Sequence, residues 1–256
     1  MRFVCLALAI ALLSTPVNAQ DDDDELRPGL LAAYQAGDST LQRIDETVAF
    51  SWSNAPPDPL LAEGPFTANW SGQLLIRNDT TYRFHAYIAG DVRITIDGDT
   101  VLDGNAETAG WVTGPETPLE FGLLELAIEY RRTGPNARIQ LYWSSDRFPL
   151  EPLPAALLFQ PEGEDAASAA REIALRERGR QQYAALRCGA CHRETPDIHT
   201  EPAPALVHVG EGTDRQWLLD KLQHRQAGAA RKRRQNFGVE VEDAQAVLAF
   251  IEAPSH

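Results

Sequence analysis

Alternation constrains this chain more than any other feature. In Leu124-Glu125-Leu126-Ala127-Ile128-Glu129-Tyr130 an apolar side chain occupies every second place, and Ile139, Leu141 and Trp143 repeat the pattern with Arg138, Gln140 and Tyr142 between them. Tyr82, Phe84, Ala86 and Ile88 form a third row, followed by Val92, Ile94 and Ile96. A period of two turns successive side chains to opposite faces of a strand, so one face enters a core and the other meets water. Asp97-Gly98 predicts a hairpin turn before Val101-Leu102, and Thr133-Gly134-Pro135-Asn136 turns the chain between two of the clearest strands. Residues 27–159 therefore read as an all-β domain, a sandwich or barrel of short strands. His85 falls out of step with Phe84 and reads as a surface strand residue.

The pattern then changes. Gln160-Pro161-Glu162-Gly163-Glu164-Asp165 is polar, acidic and carries both Pro and Gly, marking a linker over 160–168 and a second domain over 169–256. From Ala166 to Arg187 the sequence is rich in alanine and arginine and favours helix. Thr213-Asp214-Arg215-Gln216 reads as a capping box that opens another helix, carrying Trp217, Leu218 and Leu222. Ala244, Val247, Leu248 and Ile251 recur at helical spacing near the end.

Between these helices lies Cys188-Gly189-Ala190-Cys191-His192, the C-x-x-C-H pattern for covalent attachment of a c-type haem. Two cysteines three positions apart on one helical turn reach the two vinyl groups on one porphyrin edge. His192, next in line, places its imidazole under the iron as the proximal ligand. Zinc needs four ligands, and no third cysteine remains once a leader is removed. A thioredoxin-type pair follows a strand, whereas this motif follows a helix-like segment.

The N-terminus reads as a secretory signal peptide over 1–19. Arg2 precedes an apolar run from Phe3 to Leu13, and Val17-Asn18-Ala19 supplies a small-residue cleavage site. Cys5 lies within that run and leaves with it, and no segment of the mature chain is apolar enough to span a membrane. Residues 20–26 form an acidic, self-repelling lead-in. The net charge of −14 sits wholly in the first part, where residues 1–164 hold 10 Lys/Arg against 24 Asp/Glu and the remainder holds 13 of each. Nucleic acid is excluded as a partner, because phosphate neutralisation needs a basic face.

The order of phrases in the β-domain resembles the PA14 family of β-sandwiches. The carrying residues are Gly29-Leu30-Leu31-Ala32-Ala33-Tyr34, Phe66-Thr67-Ala68-Asn69-Trp70-Ser71-Gly72, Tyr82-Arg83-Phe84, Val92 to Gly98 and Ile128-Glu129-Tyr130. The resemblance implies carbohydrate as a partner. The best-defined lectins of that family hold calcium with two adjacent aspartates, and here the corresponding place reads Ala89-Gly90-Asp91. With the pair broken, Asp91 reads as a turn residue and no calcium site is assigned.

The last third resembles class I cytochromes c. Gly179-Arg180-Gln181-Gln182-Tyr183-Ala184-Ala185-Leu186-Arg187 is similar to that family's first helix, Pro204-Ala205-Leu206 to its P-x-L loop, and Val241 to Ile251 to its last helix, which crosses the first at the glycine. The resemblance implies that the Pro204 carbonyl accepts a hydrogen bond from the haem histidine, and that Leu206 and Trp217 lie in the haem pocket. One departure stands out: the family's sixth ligand is a methionine, yet the single Met is Met1, and Arg234-Gln235-Asn236-Phe237-Gly238 stands where the ligand loop falls. Nitrogen donors in the domain are His199, His208, His224, His256, Lys221 and Lys232. His224 is the candidate distal ligand, and an open sixth position is the alternative. Both lower the potential relative to His/Met ligation. The basic run Arg231-Lys232-Arg233-Arg234 suits either haem propionates or an acidic redox partner.

The sequence reading is thus a PA14-like β-sandwich followed by an all-α cytochrome c fold, a pairing that resembles exported haem proteins of planctomycete-type bacteria. The expected function is one-electron transfer at a single covalent haem c in the periplasm or outside the cell, with a redox partner protein and a β-domain for targeting. Two alternatives stay open: a haem sensor or peroxidase-like enzyme with an open sixth site, and a glycan-binding protein with an accessory haem domain. Nothing in the chain offers a nucleophile triad, a phosphate loop or a carboxylate pair placed for glycoside cleavage.

Overall fold

In the computed structural model the described residues are 26–59, 61–190, 192, 206, 213–223 and 239–253. Ten strands run β1 Leu30–Ala36, β2 Ser39–Asp45, β3 Ala49–Ser53, β4 Thr67–Ile76, β5 Thr80–Ile96, β6 Asp99–Leu119, β7 Gly122–Arg131, β8 Ala137–Ser145, β9 Phe148–Pro152 and β10 Leu158–Phe159. They form one hydrogen-bonded sheet of order β2-β1-β4-β7-β5-β8-β3, with β6 on β5, β9 on β8 and β10 on β4. The two separate layers of a sandwich are replaced by a continuous, curled sheet.

The cause is the length of β5. Its first half, Tyr82–Ala89, pairs with β8, and its second half, Asp91–Ile96, pairs with β7. The switch falls at Gly90, whose φ is +133°. A Cβ there would come within 2.6 Å of the Arg131 carbonyl oxygen, so only glycine lets β5 pass so close to β7. Tyr130 rivets the junction: its hydroxyl donates to the Ala89 carbonyl at 2.5 Å and accepts from the Arg138 backbone N–H at 3.1 Å. Both branches of the sheet then bury one face in a common core.

That core is built from the alternating rows. Tyr82, Phe84, Ala86, Ile88, Val92, Ile94 and Ile96 are all buried, as are Ile139, Leu141 and Trp143. Trp70, Tyr34, Tyr82, Tyr130 and Phe84 are its largest enclosed side chains. Burial of each such side chain contributes about 2–3 kcal/mol. One carboxylate sits among them. Asp45 is buried and accepts from Tyr34 Oη (2.5 Å), Trp70 Nε1 (2.8 Å) and Arg43 Nε (2.7 Å), binding β2 to β1 and β4. Burial first, then the Asp45 charge, pushes the Tyr34 phenol far above its ordinary value, so it remains a donor.

The remaining chain contributes three helices among the described residues: α1 Glu164–Ala185, α2 Arg215–Gln223 and α3 Val241–Ile251. Helix α1 starts inside the stretch that reads as a linker. It lies against the β-domain through Arg180, which forks onto Glu177 and reaches the buried Asp58 at 3.7 Å. Helix α3 crosses α1 at Gly179, where an added Cβ would stand 1.9 Å from the Ala246 carbonyl oxygen. Ala244, Ala246, Val247 and Leu248 are buried on α3, and Leu218 and Leu219 of α2 pack on Ala244 and Leu248. The cap of α2 is Asp214 rather than Thr213: its carboxylate accepts from the Trp217 N–H at 2.8 Å. Among the described residues no helix is long and apolar enough to cross a membrane.

Candidate functional site

On the outer face of the β8 branch, the side chains between the core rows come together. Register sets Tyr87 of β5 beside Trp111 of β6 and Gln140 of β8, and His85 beside Thr113 and Tyr142. The three rings form a continuous shelf. Tyr87 and Trp111 have centroids 5.3 Å apart, and Trp111 and Tyr142 4.9 Å. Trp111 is 53% exposed, which is costly for an indole that has water as its only alternative partner.

Polar groups rim the shelf. His85 bridges Thr113 Oγ1 and Ser144 Oγ, each at 3.1 Å. Burial and then the Arg83 charge hold its imidazole below its ordinary value, which favours the neutral ring. At the other end the Arg138 guanidinium lies 5.6 Å from the Tyr87 ring centroid and donates from Nη2 to Ser51 Oγ at 3.1 Å. Beyond it opens a cavity of about 230 Å³ lined by Ser51, Ser53, Ala109, Asn136, Ala137 and Arg138. The arrangement offers an aromatic surface of mutually inclined rings, 52° between Tyr87 and Trp111 and 64° between Trp111 and Tyr142, with hydrogen-bonding groups along its rim and one cation beside a recess.

The other branch carries a wider, open cleft of about 470 Å³ on β4, β5, β6 and β7. Four of its charges pair off, with Glu129 beside them. Arg93 forks onto Asp103 through Nε (3.0 Å) and Nη2 (2.8 Å), and Arg131 forks onto Asp91. Asp91 is therefore a strand residue with an arginine partner at the sheet junction, not the turn residue its neighbours Ala89-Gly90 suggest. Among the described residues no group of three His, Cys, Asp or Glu is placed to hold a metal ion.

In the helical part, Cys188 is buried in a short 3₁₀ turn, Cys188–Ala190. The His192 N–H donates to the Cys188 carbonyl at 3.0 Å, which places residues 188 and 192 one helical turn apart. Tyr183 stands over this turn, its ring 3.5 Å from the Cβ position of Gly189 and 5.3 Å from the Phe250 ring centroid. Leu206 is half-buried. Trp217 is 51% exposed, with Lys221 Nζ 4.8 Å from its ring centroid. Cys191, Pro204 and His224 lie outside the described residues, as do His199, His208, His256, Lys232 and the run Arg231–Arg234.

No local pattern in the sequence brings the shelf together. Tyr142, Gln140 and Arg138 are the outward members of the β8 alternation, a signal that places them in water but not beside Trp111. Trp111 lies in the 21-residue strand β6, whose mostly exposed residues give it no apolar row.

A family model described as PA14 domain matches residues 26–154. The anti-sigma-I factor RsgI3 of Acetivibrio thermocellus is 32% identical over 143 residues, covering 51% of this chain and 21% of that protein. The chain thus spans about a fifth of that curated relative. Among solved structures, an anti-sigma factor domain-containing protein is 30% identical, with a TM-score of 0.48, covering 52% of this chain and 48% of its own. A PA14 sugar-binding domain from an RTX adhesin is 18% identical, with a TM-score of 0.44, covering 54% of this chain and 99% of its own.

Proposed function

The chain belongs to the PA14 domain family, and from that footing we propose that it is an exported glycan-binding protein whose β-domain takes up sugar through the Tyr87–Trp111–Tyr142 shelf. The exposed shelf carries the proposal. One face of a pyranose ring presents C–H groups of weak positive charge, which lie favourably on the negative face of an aromatic ring, while its hydroxyls need partners at the margin. Gln140 and the hydroxyls of Thr113 and Ser144 stand on β8 and β6 beside the rings to supply them. Binding of the full chain to a panel of immobilised polysaccharides tests the reading. Trp111→Ala is expected to weaken binding at least about tenfold with the fold intact by circular dichroism, since a buried aromatic anchor is worth about 2 kcal/mol. Unchanged binding by that variant rejects the shelf as the site.

We propose a second role for the helical part, in which Cys188 and Cys191 hold one haem c covalently and His192 ligates its iron. The reading is favoured by the crossing of α1 and α3 at Gly179, with Tyr183 against Phe250. The turn from Cys188 to His192 also suits the group, because it sets one sulfur and the imidazole on successive turns. Bound haem supplies one-electron exchange, and Leu206 then contributes apolar cover. Pro204, Trp217 and His224 keep the parts that the resemblance implies: acceptor of the haem histidine's N–H, pocket wall and distal ligand. Co-expression with a haem-attachment system tests this. The chain is expected to keep haem absorbance through denaturing electrophoresis, and Cys188→Ser to lose half of the thioether linkage. A chain that stays colourless overturns it. Carbon monoxide then separates the functions, an unmoved low-spin spectrum meaning electron transfer to a redox partner and a shifted one a ligand sensor or peroxidase-like enzyme.

A further inference from the structure

Arg138 combines two features: it makes no ion pair among the described residues, as also holds for Arg27, Arg77 and Arg147, and it lies over an aromatic ring beside a cavity. Arg43, Arg83, Arg93 and Arg131 each hold a carboxylate, of Asp45, Glu116, Asp103 and Asp91 respectively. Arg132 is buried and donates to the Gly134 carbonyl and Asn54 Oδ1. Arg138 makes no ion pair among the described residues: its neighbours are the Tyr87 ring and Ser51 Oγ. It also faces the 230 Å³ cavity, whose other lining groups are two serines, two alanines and Asn136, with no carboxylate. A guanidinium kept clear of acids in an acidic domain, over an aromatic ring and beside a recess about as large as one sugar ring, is complementary to an anion at the end of the shelf.

Resting on the glycan reading above, we propose that the shelf is specific for glycans with a uronic acid residue at its Arg138 end, one local pairing rather than the broad basic face that a nucleic acid backbone needs. A uronic acid residue seats its carboxylate on Arg138 within the cavity, while the neighbouring rings of the same chain stack on Tyr87, Trp111 and Tyr142. Each part supplies what the other lacks. Stacking alone does not distinguish a uronate from a neutral hexose, since their ring faces are alike. The guanidinium alone, half-exposed and screened by salt, holds a free anion only weakly. Together they require a carboxylate at a fixed distance from a stacked ring, which is a polymer feature. Ser51 orients the fork, and Asn136 adds an amide to the lining of the recess. No covalent step is involved.

The test compares alginate with its neutral propylene glycol ester, both offered to the full chain by calorimetry or affinity electrophoresis at physiological ionic strength. Alginate is expected to bind about tenfold more tightly than the ester, the value of one charge-assisted pair. Arg138→Gln is expected to bring the two affinities together by weakening alginate far more than the ester, and Arg138→Lys to keep part of the preference. Trp111→Ala is expected to weaken both polymers in parallel. Equal binding of the two polymers by the wild-type chain, or a preference that survives Arg138→Gln, overturns the uronate assignment and leaves the glycan reading standing. Failure of every polysaccharide to bind overturns both.

Discussion

Asp45→Ala is expected to be the most damaging single substitution in the β-domain that leaves its apolar core untouched. The carboxylate is 7% exposed and accepts three hydrogen bonds, from Tyr34, Trp70 and Arg43. Its removal strands the Trp70 N–H among aromatic rings and leaves the Arg43 guanidinium with the Tyr34 hydroxyl at 2.9 Å as its remaining hydrogen-bond partner. Breaking a buried pair by deleting one member costs about 3–5 kcal/mol, mainly because the other charge stays buried. For a domain of this size about 1 kcal/mol lowers the melting temperature by roughly 4 °C, so the expected fall is about 12–20 °C. Thermal unfolding followed by tryptophan fluorescence measures it, and urea unfolding gives the free energy, with the slope unchanged if only the native state is affected. Trp70→Phe removes one donor and part of a buried ring and is expected to cost about 2 kcal/mol. Asp45→Asn should fall between the two, because the amide keeps one acceptor but presents N–H groups to donors. A loss below about 1 kcal/mol for Asp45→Ala would refute the argument, since water would then be solvating Arg43 as well as the carboxylate did.

Three further outcomes follow from particular contacts. Tyr130→Phe leaves the Ala89 carbonyl and the Arg138 N–H without their shared partner and is expected to cost about 1–3 kcal/mol in urea unfolding; the phenol, pushed up by burial to about 12, is protonated throughout the working range. Gly179→Ala drives a methyl into the Ala246 carbonyl and is expected to expose Tyr183 and Phe250, read as faster proteolysis of the helical part with β-domain unfolding unchanged. Burial raises the Glu177 carboxyl, but the Arg180 fork outweighs it and holds the group below its ordinary value of 4.5. The unfolded chain then binds protons first, so this contribution is complete above that value and is lost as pH falls through the lower folded one. Glu177→Gln is expected to flatten the acid limb of the stability curve, and an unchanged limb would reject the pairing.

Legibility followed periodicity. The rows Tyr82–Ile88, Val92–Ile96, Leu126–Tyr130 and Ile139–Trp143 announce both the strands and their buried faces, because a period of two has one physical solution at a core. The Asp97-Gly98 hairpin and the turn after Arg131 were equally open to reading, as two-residue and Gly-Pro turns depend on local chemistry. Helix α1 and the apolar face of α3 were visible too, and Gly179 sits where those two helices meet. Strand β6 was not, since its exposed residues lack an apolar row. Nor was the exchange of partners along β5, because no local pattern says which neighbour a strand takes.

The functional face divides along the same line. Covalent chemistry at Cys188-Gly189-Ala190-Cys191-His192 is a matter of spacing within five residues, so the sequence alone raises it. The shelf of Tyr87, Trp111 and Tyr142 brings together three strands from positions up to 55 residues apart, and only their register makes the rings neighbours. Arg138 likewise reads as one more outward residue of an alternating row until the fold sets it beside a cavity that no carboxylate lines among the described residues. Sequence by itself determined what each strand buries, because burial depends on periodicity within one segment. The tertiary structure decided what the exposed faces assemble, because that depends on pairing between segments distant in the chain.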